Sequence, residues 1–189
     1  MTDFAPIDSA CKRDFYKAYH TSGTRPLSKV TLIVWHDEEA GTARGAAAYF
    51  QTKQSGGSAH LCVDDNECYR CLANEDIPWG AASPNAPPGM GANMRGFHIE
   101  QAGYAKWSAV IWKKHLNTLR RCAYKTALHC KLFGIPTQFL KAADLSAGKH
   151  GITTHREVSK AFGGTHTDPG PFYPVPVVMW FVRRYYKQL

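Results

Sequence analysis

The sequence predicts an α/β domain with a central mixed β-sheet flanked by helices, on three observations. The run Val30-Thr31-Leu32-Ile33-Val34-Trp35 is apolar and β-branched, as in a strand buried on both faces. Shorter strand-like runs follow at residues 58–63, 68–72 and 97–102. One long stretch, residues 108–133, places Leu116, Leu119, Ala123, Ala127 and Cys130 at helical spacing, the mark of a helix packed on a sheet. The chain has 189 residues, 44% hydrophobic and 12% aromatic, which suits one core and is too apolar for a disordered chain.

In chain order, residues 1–29 form a polar N-terminal arm with a helix candidate over residues 8–20 and a turn cluster, Thr21-Ser22-Gly23-Thr24-Arg25-Pro26. Residues 30–189 form the single globular domain. Its first strand ends at His36-Asp37-Glu38-Glu39, so it delivers His36 to its C-terminal end. Residues 42–51 are a helix candidate, and the runs at 58–63 and 68–72 form a hairpin around Asp64-Asp65-Asn66-Glu67. Residues 78–91, rich in Pro, Gly, Ala, Ser and Asn, read as a long surface loop of the kind that borders sites. The strand at 97–102 carries His98 and Glu100 on one face. In the long helix Arg120, Arg121, Lys125 and Lys131 fall on other faces, and Gly134 with Pro136 ends it. A Gly/Pro-rich loop at 163–176 and a helix candidate at 177–186 complete the chain.

Charge is unevenly placed. Net charge is +8, and residues 111–189 alone hold 13 Lys/Arg against 3 Asp/Glu. Such a field favours a polyanionic partner without choosing among nucleic acid, anionic membrane and anionic wall polymer. No run approaches the roughly 18 apolar residues of a membrane span, and the first residues lack a basic start followed by an apolar segment, so neither membrane insertion nor a secretion signal is expected. Synthesis in a reducing compartment makes the six cysteines free thiols by expectation, with Cys122 and Cys130 in the core.

Two imidazoles and a carboxylate, His155, His166 and Asp168, lie within fourteen residues, and His36 stands at a strand end. Three N/O ligands plus an open position make a catalytic zinc site, whereas a capping Asp and loop histidines are the plainer alternative. The set His60, Cys62, Cys68 and Cys71 imitates zinc-ligand spacing, but residues 68 and 71 of a strand point to opposite faces. A thiol hydrolase is disfavoured because no cysteine starts a helix, where its pKa would be lowered.

Taken in order, Leu32-Ile33-Val34-Trp35-His36, Ser58-Ala59-His60-Leu61, Phe97-His98-Ile99-Glu100, and Thr154-His155-Arg156 with His166-Thr167-Asp168-Pro169-Gly170-Pro171 carry a family likeness. The chain resembles the zinc-dependent N-acetylmuramoyl-L-alanine amidases of the amidase-2 family, related to peptidoglycan recognition proteins. Gly41-Thr42-Ala43-Arg44-Gly45 and the Asp-Pro-Gly-Pro ending are similar to the amidase domains of endolysins from actinobacterial phages. The resemblance implies that His36, His155 and Asp168 bind Zn2+, with Glu100 and His166 catalytic. Glu100 would move a proton from water to the leaving amine, and His166 would stabilise the tetrahedral oxyanion. Ala59 stands where some relatives place a tyrosine in the role of Glu100. There are three departures: Thr154 for a glycine, His98 for a glycine before Ile-Glu, and Gly80 for a histidine often found after the tryptophan.

The function so implied is hydrolysis of the bond between N-acetylmuramic acid and the L-alanine of the stem peptide, in the service of phage lysis. A non-catalytic peptidoglycan-recognition module is the alternative. Bacterial peptidoglycan is the expected partner, with anionic cell-wall polymers drawn by the basic C-terminal region. Nucleic acid is not expected, since aromatic and basic residues do not interleave. A monomer is expected, held in the host cytoplasm until a holin opens the membrane.

Overall fold

The computed structural model describes residue 11 and residues 17–189. The helix candidate over residues 8–20 lies mostly outside the described residues, and residues 11 and 17–20 are not helical. The elements are β1 (Leu32–Trp35), α1 (Ala43–Phe50), β2 (Leu61–Val63), β3 (Cys68–Arg70), α2 (Ala92–Arg95), β4 (Gly96–Gln101), α3 (Ala109–Lys114), α4 (Leu116–Phe133), α5 (Ala142–Ser146), β5 (Gly151–Thr154), α6 (His155–Phe162) and α7 (Val175–Gln188). The five strands run in the order β3-β2-β4-β1-β5. β2, β4, β1 and β5 are parallel, and the β2–β3 hairpin adds an antiparallel edge, making the mixed sheet expected.

Side-chain alternation along the strands divides the core into layers. Ile33 and Trp35, with Phe97, Ile99, Leu61, Val63 and Ile152, face α3, α4 and α7, meeting Trp112, Leu119, Ala123, Ala127, Val178 and Val182. Each such large side chain, fully buried, contributes about 1.5–3 kcal/mol. The opposite face packs Leu32 and Val34 against Leu145, Val158 and Phe162, and Cys62 against Ala43 and Ala47 of α1. At its C-terminal end this second face becomes polar, with His36, His98 and Glu100 buried side by side.

The expected helix over 108–133 is two helices. The chain breaks at His115, whose ψ is 47°. Asp65 in the hairpin turn accepts from the Thr118 N–H at 2.9 Å and pairs with His115 Nδ1 at 2.7 Å, so a tertiary contact caps α4 at the break. Leu116, assigned by spacing to the apolar face, is consequently 42% exposed. Arg121 is buried instead, donating to the carbonyls of Asp64 and Asn66. Neither β5 nor α6 was expected. Thr154 caps α6 by accepting from the Glu157 N–H, a Thr-x-x-Glu signature present in the sequence.

The free-thiol expectation is corrected at one pair: Cys11 and Cys68 form a disulfide. The arm brings Cys11 beside β3, the edge strand, with the two Cα atoms 4.5 Å apart. Cys62, Cys71, Cys122 and Cys130 are free and buried. Cys68 packs with the α4 layer and Cys71 with the α1 layer, so the two do point to opposite faces.

Candidate active site

Parallel strands place their C-terminal ends along one edge, where α/β sheets bind ligands. His36 follows β1, Glu100 lies near the end of β4, and His155 follows β5 as the first residue of α6. The registers Trp35↔Ile99 and Trp35↔Thr154 put these three next to one another across β4-β1-β5. Asp168 arrives from the loop between α6 and α7, its carbonyl accepting from the Arg156 N–H at 2.9 Å. Gly170 lets this loop pass against Ala105: its φ is +90°, and a Cβ there would overlap the Ala105 carbonyl.

The carboxylate of Asp168 spans the two imidazoles. Its Oδ2 is 3.0 Å from His36 Nδ1 and its Oδ1 is 3.1 Å from His155 Nδ1. Candidate ligand atoms of His36, His155 and Asp168 lie within 4.8 Å of one another. Two imidazole nitrogens and one carboxylate oxygen are a donor set suited to zinc with an open position, so the residues fit that ion. Burial alone would raise the Asp168 carboxyl, but the close approach of the His155 and His36 imidazoles outweighs it and holds it well below the usual carboxylate range. Burial lowers His36.

Glu100 Oε1 lies 4.0 Å from His36 Nδ1, and its Oε2 is buried without a hydrogen bond among the described residues. Burial, reinforced by Asp168, Glu38 and Asp37, pushes this carboxyl well above the ordinary range. His166 stands at the mouth, its side chain 63% exposed, stacked on the His155 ring at 4.1 Å and 3.5 Å from Asp168 Oδ1. All five residues singled out in the sequence therefore line one cavity of about 590 Å³. Trp79 forms part of its wall, stacked on His20 and donating to Ser22 of the arm.

Three contributors carry no role in the sequence reading. Asp37 lines the cavity, its carboxyl raised to about 7 by burial and by Asp168 and Glu39. His98 bonds His36 from below, Nδ1 to Nε2 at 3.0 Å. Gln101 donates to the His36 carbonyl and accepts from Tyr173 OH at 2.7 Å, pinning the end of β1 to the loop before α7. Asp37 had a signal in the acidic run after His36 and His98 in its departure from the family's glycine, whereas Gln101 had none.

A sheet whose strand ends gather imidazoles and carboxylates in an open cleft has the form of a hydrolase. The chain belongs to the N-acetylmuramoyl-L-alanine amidase family, Amidase_2, whose profile matches residues 26–171. Comparison with curated protein sequences finds no match. Among solved structures, the Staphylococcus aureus hydrolase AmiA in complex with its ligand superposes with a TM-score of 0.70 at 19% identity, covering 94% of this chain and 83% of that one. A selenomethionine AmpD derivative gives 0.62 at 17%, covering 93% of each chain. A mutant endolysin from Bacillus subtilis gives 0.59 at 16%, covering 92% and 99%. These likenesses carry the fold, and the family carries the activity: the protein is a peptidoglycan amidase.

Proposed function

We propose that the protein is a zinc-dependent amidase that cuts between N-acetylmuramic acid and the L-alanine of the stem peptide, and that it serves as a phage endolysin. The observation that carries the zinc reading is the convergence of His36 Nδ1, His155 Nδ1 and both oxygens of Asp168 from three separate segments. When bound there, zinc supplies Lewis acidity toward the amide carbonyl and toward water. In this reading Glu100 takes the proton of the attacking water and hands it to the departing amine. Burial among carboxylates raises its affinity for a proton, which strengthens it as the acceptor in that transfer. His166, exposed beside His155, donates a hydrogen bond to the oxyanion of the tetrahedral intermediate.

Likeness to endolysin and amidase folds supports the lytic role, and among the described residues no helix is long and apolar enough to cross a membrane. In this reading the protein is a monomer that waits in the host cytoplasm until the membrane is opened, and its basic C-terminal region engages anionic wall polymers. Retention of all three ligand positions disfavours the recognition-only alternative. Mass spectrometry of digested peptidoglycan tests the activity: new L-alanine amino termini without new reducing sugar ends support it. New reducing ends identify a glycosidase, and intact wall returns the recognition module.

A further inference from the structure

We propose that His98 is a positioning residue that fixes which nitrogen of His36 faces the metal site. The proposal rests on the zinc reading of that site. His98 is fully buried on β4, and its Nε2 lies 3.2 Å from the carbonyl oxygen of Ala92. A carbonyl can only accept, so Nε2 carries the proton and, in a neutral imidazole, Nδ1 is left as an acceptor. That Nδ1 is 3.0 Å from His36 Nε2, which must therefore donate. The His36 Nδ1 lone pair is thereby left bare and aimed at Asp168 Oδ2, 3.0 Å away. Two lone pairs so opposed repel unless a cation joins them, and a bare Nδ1 is what a metal ligand requires. A backbone carbonyl outside the cleft thus sets the tautomer of the ligand through one intervening ring.

The surrounding chain holds that ring in place. The His98 N–H donates to His60 Nδ1 at 3.0 Å, and His60 Nε2 meets the Asp76 carbonyl at 3.2 Å, so the same logic sets a second buried imidazole behind the first. Gly80 and Gly96 leave room for the His98 ring, since a Cβ on either would overlap it. The departures at positions 80 and 98 are therefore one feature in space: a glycine at 80 opens the slot that the histidine at 98 fills.

The test uses the 189-residue chain loaded with zinc and labelled with 15N. A coupling across the His36–His98 hydrogen bond, with the proton on His36 Nε2, is the expected signature. Chelator competition then reads zinc affinity. His98→Phe fills the slot without an acceptor and should weaken zinc binding roughly 10- to 100-fold. His98→Asn, whose side-chain oxygen can take over as acceptor, should recover most of that loss. Melting of each metal-free variant separates an unfolded protein from a mispositioned ligand. A bound zinc with the proton on His98 Nδ1, or wild-type affinity in His98→Phe, overturns the relay alone. Wild-type protein that binds no zinc overturns the metal reading and the relay with it.

Discussion

Glu100 has a raised proton affinity because burial and three neighbouring carboxylates, Asp168, Glu38 and Asp37, oppose its charge. Glu100→Gln should therefore keep zinc while turnover falls about 10²- to 10⁴-fold, the usual worth of a positioned proton-transfer group. Metal analysis beside product release checks both halves. His129, stacked on Phe97 at 3.9 Å with Nδ1 toward the Lys125 carbonyl, is lowered by burial to about 3. Its unfolded value lies near 6.5, so above that pH neither state is charged and it costs nothing. As pH falls below 6.5 the unfolded state takes the proton first, and stability drops by about 2 kcal/mol by roughly pH 5. His129→Phe should flatten that decline in melting temperature. At this scale, legibility depended on residue type and order. His36, His155, Asp168, Glu100 and His166 were identifiable because ordered motifs carry them. His98 and Gln101 act through hydrogen bonds that only the β4-β1 register creates, and no local pattern announces them.

Elements were legible where the pattern was local. β1, β4 and α7 come from runs whose apolar spacing is unbroken, and α1 from a Thr42 cap that accepts from the Gly45 N–H. The break at His115 was not legible, because the cap that makes it, Asp65, is fifty residues away. β5 was missed because four residues, Gly151-Ile152-Thr153-Thr154, give too short an alternation to read. The loop carrying Asp168 depends on one close approach. Gly170→Ala would force a Cβ onto the Ala105 carbonyl at a φ of +90°, and should cost roughly 2–4 kcal/mol. Zinc affinity should fall with it as Asp168 shifts. Gly134→Ala is the control, for at φ +67° it meets nothing within 4 Å and should cost only about 1 kcal/mol with zinc affinity unchanged. Thermal melts and chelator competition on the two variants read the difference.

At the scale of the whole molecule, the cleft and the excess of positive charge are two distinct features. The strand ends of the sheet form the acidic, imidazole-rich cleft, while residues 111–189 carry most of the positive charge. Exposed charge is screened over about 8 Å at physiological salt, so binding to intact wall should weaken as salt rises. Hydrolysis of a small soluble muropeptide should change little over the same range, and co-sedimentation beside a soluble assay distinguishes the two. Salt-insensitive wall binding would assign the anchor to the cleft instead. In the proposed function, His36, His155 and Asp168 hold the zinc on which hydrolysis depends. The direct measurement is zinc content together with peptidoglycan hydrolysis, before and after chelation, for the wild type and His36→Ala. One zinc per wild-type chain is expected, with activity lost on chelation and restored by zinc, and neither zinc nor activity in His36→Ala. Undiminished hydrolysis by the metal-free wild type would contradict this reading.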